Sequence, residues 1–222
     1  MKVKKKLVEN NFSRRSSIYD ESAVFQQYAA NKLFEQILKS LGDKKPRRVL
    51  ELGCGTGFLT GKLLEAFPEA HFEICDISQK MIDKCQENTS DIINRMSGAV
   101  SFYCGDLDLV FKGRGKGEFD LIVSALAFQW IEKLAPVIRS THKSLSDASW
   151  LVFSTLADGT YKELRSVFDA MNEKYPGPDF LNLEELSDMC ADFAEVSIVA
   201  ENYEDCFDSA LDFLRQVQRT GA

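Results

Sequence analysis

The sequence predicts a Rossmann-like, three-layer α/β sandwich around a mostly parallel sheet. Three observations predict it. Short apolar runs alternate with amphipathic stretches, a glycine-rich turn follows the first run, and acidic residues close three successive runs. Strands alternating with helices imply crossover connections, hence parallel pairing with helices on both faces. Runs such as Leu121-Ile122-Val123 are apolar throughout, as strands covered on both faces require.

The 222 residues suit one α/β domain with a helical attachment. No apolar run approaches the ~20 residues of a membrane helix. The basic start Met1-Lys2-Val3-Lys4-Lys5-Lys6 leads into no apolar stretch, which argues against a secretory signal. Cys54, Cys75, Cys85, Cys104, Cys190 and Cys206 form no CxxC pair, so reduced thiols and a cytoplasmic location are expected. His71 and His142 are far apart with no cysteine cluster beside them, so no metal is expected. The net charge of −7 is unevenly spread: residues 1–48 carry +7 and residues 49–222 carry −14. The basic part reads either as a solvated helix face or as a docking surface for an acidic partner. Nucleic acid is a poor partner, because the acidic remainder would repel phosphate.

Residues 3–41 read as helical. Phe25, Tyr28, Ala29, Leu33, Phe34, Ile37, Leu38 and Leu41 recur at three- and four-residue steps, with Ser22 as a cap and Gly42 as a stop. After the polar turn 42–46, strands are expected at 48–52, 71–75, 99–103, 119–124 and 150–154. Helices are expected at 58–67, 78–95 and 130–145, and a turn at 105–108. Beyond Ser154 the spacing predicts helices at 160–173, 183–191 and 209–219, and a strand at 194–201. The organisation expected is an N-terminal helical segment, 1–42, on the substrate side. A cofactor-binding domain, 43–222, follows, with a helical insertion at about 156–192.

Glu51-Leu52-Gly53-Cys54-Gly55-Thr56-Gly57 joins the first strand to the first crossover helix. Glycines there permit positive φ and close approach of a ligand to the backbone. The nearest competitor is the dinucleotide fingerprint GxGxxG, but Phe58 occupies its third glycine position. A pyrophosphate needs an open helix N-terminus. S-adenosylmethionine has no phosphate; it needs a loop passing beside its methionine part and an acid for its ammonium, and Glu51 stands in place for that. Asp76, with Ile77 beside it, ends the second strand about 20 residues later, where ribose hydroxyls are gripped, or where a helix is capped. Asp106 ends the third strand, able to accept from an adenine amino group while Leu107 packs on the ring, or to serve as a turn residue. Cys54 belongs to the glycine loop, and Ser124 and Ala125 end the fourth strand beside it.

These segments, with Phe119-Asp120-Leu121-Ile122-Val123-Ser124, resemble class I methyltransferases over residues 45–155. A narrower resemblance extends over nearly the whole chain. It is carried by Phe12-Ser13-Arg14-Arg15-Ser16-Ser17-Ile18-Tyr19-Asp20, Ser124 through Trp130, Phe153-Ser154-Thr155-Leu156 with Gly159-Thr160 and Glu163-Leu164, and Phe213-Leu214-Arg215 through Ala222. Those look like the BioC family, the malonyl-carrier-protein O-methyltransferases of biotin synthesis. Family members usually continue into a final strand, so the sheet here is expected to lack its seventh, antiparallel member. The resemblance implies methyl transfer from S-adenosylmethionine to the free carboxylate of a malonyl thioester on acyl carrier protein or coenzyme A. It also implies a lid from residues 1–30 and 156–185, roofed by some of Phe12, Tyr19, Phe25, Tyr161, Phe168, Tyr175 and Phe180. Tyr19 and Arg215 are candidates to hold the acceptor carboxylate, each with a packing or surface role as the alternative. Trp130 reads as a pocket wall. Lys4, Lys5, Arg14, Arg15, Lys44, Arg47 and Arg48 are candidates for a face that docks an acidic carrier. The same fold would also suit another small carboxylate, or a cofactor-binding assembly factor or hydroxylase acting on a protein.

Overall fold

In the computed structural model, which describes residues 23–219, the first element is helix α1, Val24–Leu41. Gly42 ends it at φ 56°, its N–H donating to Leu38 O at 3.0 Å. Glycine adopts that left-handed turn without steric cost. There follow β1 (Arg48–Leu52), α2 (Phe58–Ala66), β2 (His71–Asp76), α3 (Gln79–Ile93) and β3 (Val100–Cys104). Next come the single turn α4 (Leu107–Val110), β4 (Phe119–Ala125), a 3-10 turn at Phe128–Trp130, α5 (Leu134–Ser144) and β5 (Leu145–Ser154). Helices α6 (Lys162–Ala170), α7 (Leu183–Met189) and α8 (Ala210–Arg219) complete the described chain. No helix among the described residues is long and apolar enough to cross a membrane.

The strands pair in the order β3-β2-β1-β4-β5, and all four pairs are parallel. Alternate residues face opposite layers. Val49, Ile74, Leu121 and Val123 bury against α1, α2 and α3, with Leu33, Ile37, Leu63, Leu64 and Ile82. Leu50, Leu52, Cys75 and Ile122 bury on the other face with Phe128, Leu134, Ile138 and Leu186. Helix α1 thus shares a core with the sheet. It is also strapped from outside: the Tyr28 hydroxyl donates to Glu201 at 2.8 Å, and Tyr203 meets the rings of Phe25 and Tyr28 at 5.0 Å.

Four expectations need correction. Strand β5 begins at Leu145, not at Trp150. Helix α5 begins at Leu134, not at Trp130. Pro136 has no N–H and is tolerated only in a first turn, so the helix starts just ahead of it. The predicted turn 105–108 becomes helical at Leu107. Residues 194–201 form no strand, and Val196, Ile198 and Val199 are exposed. An isolated extended segment gains no ladder hydrogen bonds, and no described strand pairs along the outer edge of β5. Residues 1–22, with Ser22 and the start of the predicted helix, lie outside the described residues.

The winding direction reverses between β1 and β4. Ligands in open parallel sheets bind in the crevice outside the carboxyl ends of the strands at that reversal.

Candidate cofactor and acceptor site

A cleft of about 1300 Å³, counting its open mouth, lies at that reversal. It is lined from the carboxyl end of every strand: Gly53 after β1, Asp76 ending β2 with Ile77 after it, Asp106 after β3, Leu126 after β4 and Leu156 after β5.

The glycine loop is fixed from several sides. Gly53 and Cys54 donate N–H bonds to Cys75 O at 2.8 and 3.1 Å. Gly53 has φ 79°, and a Cβ built there would lie 2.5 Å from the Cβ of Ala127, in the turn after β4. Gly55, at φ 54°, meets no atom within 4 Å on that side. Its backbone forms an open cradle. Gly57, at φ 97°, caps α2 and presses against Cys85 and Thr89 of α3. Asn88 of α3 donates to Thr56 O at 2.9 Å.

Asn88 therefore positions the loop without lining the cleft. Replacing it with alanine removes one brace from the loop backbone. The expected result is a several-fold weaker affinity for S-adenosylhomocysteine with a stability loss of about 1 kcal/mol. Calorimetric titration and thermal melts of the same samples check it.

Glu51 is 1 % exposed and its Oε2 accepts the Thr60 hydroxyl at 2.7 Å. Burial pushes its carboxyl up to about 7, partly offset by the Thr60 bond. Asp76 accepts Gly55 N–H at 3.0 Å on one oxygen and Ser78 N–H at 2.9 Å on the other. Burial raises its pKa while those N–H groups oppose the rise. The carboxylate braces the glycine loop and opens α3; each oxygen keeps a lone pair for a further donor. Ser78 itself caps α3, accepting from Met81 N–H at 3.4 Å. The Cys54 thiol is pushed up by its hydrogen bond with Cys85 and by burial, so it stays protonated and is no nucleophile.

Of the residues singled out from sequence, Glu51, Gly53, Cys54, Gly55, Asp76, Ile77, Asp106, Leu107 and Ala125 all line this one cleft. Gly57 and Ser124 do not. Gly57 spaces α2 from α3, and the buried Ser124 hydroxyl ties β4 to β1 by donating to Leu52 O at 2.9 Å. Phe25, Gln129, Trp130 and Tyr161 join the lining; Phe180 lines a neighbouring pocket that shares Gln129, Ile131 and Leu156 with the cleft. Phe168 and Tyr175 face each other instead, at 5.9 Å. Arg215 is exposed on α8, paired with Asp212 at 3.1 Å, and is absent from the lining. Tyr19 lies outside the described residues, as do Lys4, Lys5, Arg14 and Arg15.

Lys44, Arg47 and Arg48 sit at the wrong end for docking at the cleft. Arg48 begins β1, its guanidinium 3.6 Å from Glu73, and Lys44 lies over the Trp150 ring at 4.4 Å. The N–H groups of Arg47 and Arg48 donate to Asp120 at the start of β4. This is the amino edge of the sheet, a strand length of roughly 17 Å from the cleft edge.

Sequence reasoning missed Gln26, Thr56, Phe58, Met81, Leu126 and Ala127. Leu126 carries φ 49°, a conformation rare for a branched residue, held where its N–H donates to Ser154 O at 3.0 Å. Among the described residues, Thr56 Oγ1 and Gln26 Oε1 are buried without hydrogen-bond partners, and both residues line the cleft.

The residues fit S-adenosylmethionine. The open Gly55 cradle admits a flat methionine chain, the orphaned polar atoms need partners, and the carboxylates of Glu51, Asp76 and Asp106 suit an ammonium, hydroxyls and an amino group. Fold and site together define a class I methyltransferase, the type whose methyl donor is S-adenosylmethionine. Residues 50–151 match the methyltransferase domain family. A malonyl-(acyl-carrier protein) O-methyltransferase of Priestia megaterium is 33% identical over 195 residues, 85% of this chain and 68% of that protein. One from Magnetococcus marinus is 32% identical over 218 residues, covering 97% and 76%. Among solved structures, the magnesium protoporphyrin IX methyltransferase of Synechocystis with bound SAH superposes with a TM-score of 0.64. It is 17% identical and covers 85% of this chain and 88% of that one, a likeness of fold. The chain belongs to the malonyl-(acyl-carrier protein) O-methyltransferase family.

Proposed function

We propose that this chain methylates the free carboxylate of a malonyl thioester, carried on acyl carrier protein or coenzyme A, as an early step of biotin synthesis. The observation that carries the reading, beside the relatives' names, is the chemistry of the cleft. Its described lining holds no histidine, lysine or arginine, and its one thiol is kept protonated. Its one carboxyl raised toward neutrality, Glu51, holds the Thr60 hydroxyl on the glycine-loop side and is assigned to the donor's ammonium, which leaves the acceptor no dedicated general base. A carboxylate acceptor needs none, because it is already ionised at pH 7.

When bound, S-adenosylmethionine supplies an electrophilic methyl group. The residues proposed to hold it are Glu51, Gly53, Cys54, Gly55, Asp76, Ile77, Asp106, Leu107 and Ala125, with Gly57 and Ser124 fixing the loop and strand around them. Glu51 serves the ammonium, Asp76 the ribose hydroxyls and Asp106 the adenine amino group. Phe25, Trp130, Ile131, Leu156 and Tyr161 form the apolar wall beyond. Such a wall excludes water, so catalysis rests on alignment and exclusion of solvent.

The acceptor carboxylate must be held without quenching its lone pairs. A neutral donor does this better than a bidentate arginine. Tyr161 reaches the cleft, and burial raises its pKa, so its phenol remains a donor. With Tyr19 it is the proposed acceptor ligand; Arg215, paired with Asp212, is the weaker candidate. Residues 1–42 and the insertion 156–192 form the proposed substrate side. Labelled S-adenosylmethionine with malonyl-carrier protein tests the reading. Base-labile methyl ester is expected; label transferred only to a free dicarboxylic acid would refute the thioester.

A further inference from the structure

We infer that Gln26, on α1, is a ligand for the amino-acid end of the methyl donor, its Oε1 accepting from the ammonium. The inference rests on the donor site proposed above and adds a residue from outside the strand ends. Gln26 lines the cleft and its Oε1 is buried with no partner among the described residues. A buried acceptor left unpaired is destabilising, and such atoms in folded proteins mark a missing partner.

The cleft has two chemically distinct sides. Asp76, Ile77, Asp106 and Leu107 line it from the ends of β2 and β3. Glu51, Thr56 and Gln26 line it from β1, the glycine loop and α1, and α1 packs on α2, β4 and β5. The second side carries a carboxylate, an unpartnered amide oxygen and an unpartnered hydroxyl. An α-amino acid presents an ammonium with three donors and a carboxylate with acceptors only. Glu51 and Gln26 Oε1 match the ammonium; the Thr56 hydroxyl matches the carboxylate. Adenosine has no cation to satisfy these two acceptors, which line the same cleft.

The position of Gln26 is itself held. Ala30, Leu33 and Ile37 bury the same helix against the sheet, and Tyr203 packs on Phe25 next to it. Gln26 therefore arrives pre-oriented, which limits the ordering that ligand binding must impose.

Calorimetric titration of the full chain at pH 8 tests this with two probes, S-adenosylhomocysteine and 5′-methylthioadenosine, which lacks the amino-acid group. Gln26→Leu should weaken S-adenosylhomocysteine by about tenfold, the loss of a hydrogen bond to a charged group. It should leave 5′-methylthioadenosine within about twofold, because that probe makes no ammonium contact. Gln26→Glu, which keeps an acceptor, should hold or tighten S-adenosylhomocysteine. The melting temperature of Gln26→Leu should not fall, since it removes an unpaired buried atom. Unchanged S-adenosylhomocysteine affinity in Gln26→Leu would overturn the inference alone. So would equal weakening of both probes, or a Gln26→Glu loss as large as that of Gln26→Leu. A parent protein that binds neither probe would overturn the donor site as well.

Discussion

Glu51→Gln is expected to stabilise the ligand-free protein at pH 8 while weakening its hold on S-adenosylhomocysteine about 10- to 100-fold, the range for a charged hydrogen bond. The two effects have one cause. Glu51 is buried, and burial lifts its carboxyl from the usual 4.5 to about 7. A group whose folded pKa is raised contributes stability below its unfolded pKa and loses it as pH rises through the folded value. For Glu51 that loss runs from about pH 4.5 to pH 7. It amounts to about 3 kcal/mol, an order-of-magnitude figure. A glutamine keeps an acceptor for the Thr60 hydroxyl and does not titrate, so the variant should lack this decline. Urea denaturation at pH 5 and pH 8 measures it. A parent-minus-variant difference that does not change between those two pH values would contradict the account.

Binding has the opposite sign. An ammonium favours the ionised carboxylate, so ligand binding should release a proton below pH 7. Affinity of the parent should fall as pH drops through 7, by up to about tenfold per unit. The Glu51→Gln variant should be flat over the same range. Titration in buffers of different ionisation enthalpy reads the proton directly.

Gly53→Ala should have the largest effect on the fold around the site. The new methyl would lie 2.5 Å from the Ala127 Cβ, in a backbone conformation of φ 79°. Strain of this kind costs about 1–3 kcal/mol, and overpacking adds about as much. Relief requires separating the glycine loop from the turn after β4, and both line the cleft. Affinity for S-adenosylhomocysteine should drop below detection at millimolar ligand. Gly55→Ala supplies the contrast: φ 54° with open space should cost stability only about 1 kcal/mol while still obstructing the cradle. Equal stability losses in the two variants would show that the Ala127 contact does not matter.

The strands, the glycine loop and the acidic strand ends were legible in the sequence. Each is written locally. Apolar-rich stretches of five to seven residues announce β1, β2 and β4, Ser78 announces α3, and Gly42 stops α1. Glycines at 53, 55 and 57 announce positive φ, which all three adopt. Helix α5 starts later than the apolar spacing implies because Pro136 is accommodated only in a first turn. The 194–201 segment was misjudged because strand propensity cannot supply a partner strand.

What the sequence determined by itself is a parallel sheet and a set of carboxylates at its strand ends, because both follow from periodicity and chain order. Only the tertiary structure decided which atoms meet. Asp76 acts on Gly55 and Ser78 because β2 lies beside β1. Lys44, Arg47 and Arg48 face away from the cleft because they precede β1, and a strand sends its two ends to opposite edges. Gln26 joins the cleft because α1 docks across β4 and β5, strands that begin about 80 and 100 positions after the helix ends. No local pattern encodes that approach; it comes from burying the apolar face of α1 on the sheet.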